Sequence, residues 1–111
     1  MYKKTAVITG AAGLLGIQHA SALLESDYNV ILLDLDKTLL KKVYLKLLNI
    51  YQNKDILYYP CDITQEKQVK RVLSKIKNKN LKIEVLVNNA DKNPKMNIYT
   101  KLFTGRVEDY S

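Results

Sequence analysis

The stretch TAVITGAAGLLG, Thr5–Gly16, decides the fold of this chain. An apolar run, Ala6-Val7-Ile8, is followed at once by three evenly spaced glycines, Gly10, Gly13 and Gly16, out of 4 in the whole sequence of 111 residues. Glycine loses more conformational entropy on folding than any other residue. A cluster of glycines therefore marks a place where backbone geometry, or something lying close to the backbone, matters more than side chains.

Outward from this stretch, short apolar runs alternate with helix-like segments. The strand-like runs are Thr5–Thr9, Asn29–Asp34, Asp55–Tyr59 and Ile83–Asn88. Their centres are nearly continuous in apolar residues rather than alternating, which fits strands covered on both faces. Between them, Leu14–Ser26 carries Ile17, Ala20, Leu23 and Leu24 at helical spacing, and Lys37–Tyr51 repeats apolar pairs about every four residues. In Gln65–Asn78 the inward positions are Val69, Val72, Leu73 and Ile76, with Thr64 as the expected N-cap. The order β-α-β-α-β-α-β predicts an α/β fold, a Rossmann-type doubly wound parallel sheet. Residues 1–90 make up this dinucleotide-binding half. Residues 91–111 contain Pro94, Gly105 and many polar side chains without a sustained period, and read as a loop leading to an absent second half.

The length leaves room for one small core. No apolar run is long enough to span a bilayer, and no signal-peptide pattern precedes the first strand. Cys61 is the only cysteine and has no partner for an internal disulfide, so the expected setting is a reducing cytoplasm with a packed thiol at a strand end. The formal charge of +7 raises the question of nucleic acid. The lysines are spread along the chain between apolar helix positions, and the tyrosines form no stacking motif, so solvated helix faces are expected and no nucleic-acid partner.

A glycine turn between a first strand and a first helix is where a Rossmann-type sheet receives a dinucleotide pyrophosphate. Gly10 permits the tight turn, a middle glycine lets phosphate approach the backbone, and Gly16 lets the helix pack closely on the strand. The helix N-terminus adds unpaired N–H groups and partial positive charge. Asp34, at the end of the second strand, is placed to accept hydrogen bonds from the adenosine ribose hydroxyls. Its charge repels the 2′-phosphate of NADP, so NAD is the expected cofactor and NADP the less favoured one.

Four blocks in this order resemble the short-chain dehydrogenases/reductases. TGAAGLLG, Thr9–Gly16, is similar to the family's TGxxxGxG, except that Gly13 and Leu14 stand where xG is usual. Asp34 matches the ribose-binding acid, CDIT at Cys61–Thr64 the Asp-hydrophobic pair after strand three, and NNAD at Asn88–Asp91 the NNAG that ends strand four, with Asp91 in place of the usual glycine. The resemblance implies strand order 3-2-1-4, and cofactor contacts at Gly10, Gly13, Leu15, Gly16, Asp34, Asp62, Ile63, Asn89 and Ala90. In it Asp62 meets the adenine amino group, Ile63 lines the ring, and Asn88 braces the sheet.

In that family the chemistry is general acid–base work by a serine and a YxxxK pair. No tyrosine of this chain is followed four residues later by lysine. His19, alone on the first helix, reads as a packing or surface residue. The expectation is therefore an N-terminal half with no catalytic and no metal-binding residues, whose parent transfers hydride between NAD and an alcohol/carbonyl pair. The substrate is unread. The alternative is a catalytically inactive nucleotide-binding or interaction module. Association through the strand-four edge, or with a complementary C-terminal half, is the expected protein contact.

Overall fold

The computed structural model describes residues 3–89. The elements run β1 (Lys3–Thr9), α1 (Leu14–Glu25), β2 (Asn29–Asp34), α2 (Lys37–Ile50), β3 (Ile56–Pro60), α3 (Glu66–Ile76) and β4 (Leu81–Asn88). All strand pairings are parallel, and the sheet order is β3-β2-β1-β4. The expected architecture and strand order are both present.

The two central strands show why their sequences are apolar throughout. Ala6 and Ile8 of β1, with Val30 and Leu32 of β2, face a core closed by Ala20 and Leu24 of α1 and Leu40, Val43 and Leu47 of α2. Val7 of β1, with Ile31 and Leu33 of β2, faces the opposite core, closed by Val69, Val72 and Ile76 of α3. Alternation still operates in each strand, but both faces are buried, so no polar positions interrupt the run. Burying one such aliphatic side chain contributes about 1.5–3 kcal/mol, and the two cores together hold the turns at the strand ends in place.

The fourth strand begins two residues earlier than its apolar run suggests, at Leu81, and carries a bulge. Thr5 pairs with Ile83 but Ala6 pairs with Val85, so Glu84 is an extra residue on β4. An extra residue inverts the side-chain parity. Leu81 and Ile83 pack on the α3 side, whereas Val85 and Val87 pack on the α1–α2 side. Exposed Lys82 and Glu84 break the apolar pattern here, which hides the start of the strand.

Helix entry also departs from the sequence reading. Thr64 does not cap α3: the N-cap is Gln65, which makes no side-chain cap bond. The Thr64 hydroxyl instead donates to Asp62 Oδ1 at 2.6 Å. A carboxylate two residues upstream is a stronger acceptor than the hydroxyl is a cap, and it draws Thr64 into a turn before the helix starts. In α2 the N-cap is Asp36, whose Oδ1 accepts from Leu39 N at 3.0 Å, an interaction worth about 1 kcal/mol.

Candidate functional site

The C-terminal ends of β1, β2 and β3 open onto a crevice of about 310 Å³. Its walls include Gly10 and Gly13 from the β1–α1 turn, Asp34 from the end of β2, Asp62 and Ile63 after β3, and Asn89 after β4. Six of the residues named from sequence thus meet in one place. Leu15 and Gly16 are not on these walls. Ala90, the last of the named residues, lies outside the described residues, as does the 91–111 segment.

The three glycines sit in three different settings. Gly10 has φ 63°, the left-handed region that glycine enters without penalty. Its carbonyl accepts from Gly13 N at 3.2 Å, closing the turn. Gly16 is buried beneath that turn. A Cβ there would overlap Gly10 O and come within 2.6 Å of Ala11 Cα. Gly16 therefore packs the helix against the turn itself, rather than against the strand as the sequence reading has it. Gly13 differs from both. Its φ of −81° and ψ of 170° suit any residue, and a Cβ would meet only Gly10 O, at an ordinary 3.6 Å. Nothing in the described fold itself demands glycine at position 13.

Gly13 is also the N-cap of α1, where no side chain caps the helix and no acidic residue sits in the first turn. The first-turn N–H groups and the positive end of the helix dipole thus meet neither a capping side chain nor an acidic residue of that turn. The turn is tied to β2 by Ala11 N donating to Leu33 O at 3.0 Å and Ala12 N donating to Asp34 Oδ2 at 2.9 Å. The other carboxylate oxygen of Asp34, Oδ1, accepts from Asp36 N at 2.9 Å. Asp34 is thus a brace between two loops of the site, a role the sequence reading did not include. The two bonds leave lone pairs on both oxygens for further donors.

On the third wall, Asp62 Oδ1 accepts from both Thr64 N, at 3.0 Å, and the Thr64 hydroxyl. The hydroxyl bond, with the backbone N–H second, holds the Asp62 carboxyl below its usual pKa. Cys61, expected as a packed thiol at a strand end, is buried directly after β3. Burial, aided by the charge of Asp62, pushes its pKa up to about 11, so the thiol stays protonated and is no nucleophile at neutral pH.

Asn88 braces the sheet as expected, its Oδ1 accepting from the Thr9 hydroxyl at 2.7 Å. Asn89 donates its backbone N–H to Thr9 O at 3.3 Å, while its side-chain Nδ2 is buried without a hydrogen-bond partner among the described residues. A buried donor left unpaired costs about 1–3 kcal/mol. Asn89 itself is among the residues lining the crevice.

At the opposite ends of the strands is a wider hollow of about 530 Å³ with Lys3, Lys54 and Lys79 at its rim. Lys3 pairs with Asp55 at 2.6 Å, and Lys54 pairs with Asp27. Those two charges are already met within the fold. Among the described residues, no group of three or more His, Cys, Asp or Glu side chains is placed to hold a metal ion, and no helix is long and apolar enough to cross a membrane.

Comparison with known proteins agrees with this fold. Residues 4–101 match the family described as short chain dehydrogenase. The short chain dehydrogenase/reductase dpfgG of Gibberella zeae is 33% identical over 87 residues, 78% of this chain and 31% of that protein. The uncharacterized oxidoreductase YxjF of Bacillus subtilis is 33% identical over 90 residues, 81% of this chain and 34% of its own length. Among solved structures, one described as a D-mannonate oxidoreductase from Haemophilus influenza, with bound NAD, superposes with a TM-score of 0.71 at 27% identity, covering 86% of this chain and 34% of that one. The 2-keto-3-deoxy-D-gluconate dehydrogenase of Streptococcus agalactiae gives 0.70 at 26% identity, covering 85% and 35%. The chain spans about a third of the length of these relatives.

Proposed function

The chain belongs to the short-chain dehydrogenase family, and from that premise we propose that its crevice binds a nicotinamide dinucleotide, NAD in preference to NADP. We assign it the cofactor-binding part of a cytoplasmic oxidoreductase acting on an alcohol/carbonyl pair. The observation that carries this reading is the meeting of Gly10, Gly13, Asp34, Asp62, Ile63 and Asn89 around one crevice at the C-terminal ends of the strands, with the buried Nδ2 of Asn89 left unpartnered among the described residues. The uncapped start of α1 and the open face of Gly13 support it from the other side of the same space.

When bound, the nicotinamide ring supplies the hydride acceptor or donor. The chain's own residues bind and orient. The α1 N-terminus and the Gly10–Gly13 turn offer backbone N–H groups to the pyrophosphate. Asp34 offers its remaining lone pairs to the ribose hydroxyls, Asp62 and Ile63 hold the adenine, and Asn89 donates its side-chain amide to the bound molecule. Acid–base groups are assigned to the remainder of the parent protein, since no YxxxK occurs here. The outer strand β4 is the proposed site at which that remainder, or a complementary chain, adds to the sheet.

NAD and NADP titrations test the cofactor choice. A second negative group beside the Asp34 carboxylate is repelled, so NAD should bind about tenfold or more tighter, and Asp34→Ala should bring the ratio close to one. Because Asp34 also braces Ala12 N, the variant should weaken both cofactors, and only the ratio reports the ribose contact. Equal affinity of the unmutated chain for both would contradict this role.

A further inference from the structure

The turn after β3 is held by a residue outside every motif recognised in the sequence. Gln68, in the first turn of α3, extends its side chain back toward the end of β3, and its Oε1 accepts from Asp62 N at 2.8 Å in a half-buried setting. A glutamine at this point of a helix ordinarily reaches back to the N-cap N–H. Here the N-cap is Gln65, and the side chain passes it to reach three residues further upstream. Asp62 is thereby pinned twice. Its backbone N–H is fixed by Gln68, and its Oδ1 accepts both bonds from Thr64. With Oδ1 occupied and the backbone fixed, Oδ2 is the carboxylate oxygen left to a ligand.

We propose that Gln68 is a positioning residue for the adenine end of the crevice, setting the direction in which the Asp62 carboxylate is presented to a base carrying an amino group. This rests on the dinucleotide reading above. Gln68 touches no ligand in this role; it acts through Asp62. The chemistry it governs is discrimination. A fixed carboxylate accepts from an exocyclic amino group and repels a carbonyl in the same place.

Two measurements test it, on the unmutated chain and on Gln68→Ala and Gln68→Glu. The first is hydrogen exchange at the Asp62 amide, which needs no ligand. Gln68→Ala should speed that exchange relative to other amides of the β3–α3 turn, and Gln68→Glu, which keeps an acceptor, should restore it. The second is the affinity ratio for NAD over nicotinamide hypoxanthine dinucleotide, whose base carries a carbonyl where adenine has its amino group. Both dinucleotides meet the same folded fraction, so loss of stability alone leaves the ratio unmoved. The ratio should fall by roughly three- to tenfold in Gln68→Ala, the scale of one hydrogen bond, and stay near the unmutated value in Gln68→Glu. An unchanged ratio in Gln68→Ala, or an equal fall in both variants, would overturn the proposal. If the unmutated chain binds neither dinucleotide, the cofactor reading itself fails, and the proposal falls with it. In that case the amide exchange still shows whether Gln68 holds Asp62.

Discussion

Gly13→Val is expected to abolish dinucleotide binding while leaving the fold intact. The backbone at Gly13 is extended and open to any residue, and a Cβ there would touch only Gly10 O at van der Waals distance. The fold alone therefore gives position 13 no steric reason to be glycine, only the N-cap preference for it over Val, worth about 1 kcal/mol. In the proposed complex the reason is the pyrophosphate, which must lie against the N-terminus of α1, and a branched side chain at the N-cap occupies that approach. Loss of the phosphate contacts should weaken NAD binding by at least roughly a hundredfold, about 2.8 kcal/mol at 1.4 kcal/mol per tenfold. Calorimetric titration beside a thermal melt makes the test: affinity should collapse while the melting temperature falls by no more than roughly 4–8 °C, the loss of a favoured N-cap residue. A Gly13→Val chain that binds NAD as tightly as the unmutated one would show that phosphate does not pass that way.

Gly16→Ala should give the opposite pattern, a loss of stability from a single methyl group. Its Cβ would overlap Gly10 O and press on Ala11 Cα at 2.6 Å. Both contacts are backbone, so no side chain can rotate away, and the turn or α1 must shift. Overpacking of this kind costs about 1–3 kcal/mol or more, against roughly 5–15 kcal/mol for a whole domain. At about 4–8 °C per kcal/mol in a domain of this size, the melting temperature should fall by roughly 4–24 °C. Circular dichroism melts of the two glycine variants side by side would separate the fold glycine from the ligand glycine. An unchanged melt for Gly16→Ala would mean that the turn is looser than its geometry implies.

The contrast between these two positions shows what was legible in the sequence. The spacing of Gly10, Gly13 and Gly16 announces a strand-to-helix turn, but all three glycines look alike in one dimension. Only the contacts around each assign one to a positive φ, one to packing and one to open space. The central strands were legible because burial on both faces leaves an unbroken apolar signature in Ala6-Val7-Ile8 and Val30–Leu33. The start of β4 was not, because exposed Lys82 and Glu84 interrupt its apolar run, and the bulge at Glu84 then swaps the parity of the strand. Local polar competition misled the reading at Thr64, where a threonine before a helix suggests a cap but Asp62 takes its hydroxyl. Asp36 shows the converse. It caps α2, and an aspartate directly before an apolar-periodic run was signal enough to have found it. Asp34 was read as a ligand contact alone, since its bond to Ala12 N joins residues far apart in sequence. Gln68 could have been noticed as a glutamine in the first turn of a helix, but its reach past the N-cap to Asp62 is a property of the folded turn.

The central claim is that the crevice at the C-terminal ends of the strands holds a nicotinamide dinucleotide. Titrating the isotopically labelled chain with NAD, and following its amide resonances, tests this most directly. Saturable shifts should appear at the backbone amides of Gly10, Gly13 and Asp62 and at the side-chain amide of Asn89, while Lys3, Lys54 and Asp55 at the opposite ends of the strands stay still. Shifts confined to that opposite end, or a crevice that does not respond to NAD, would contradict the account.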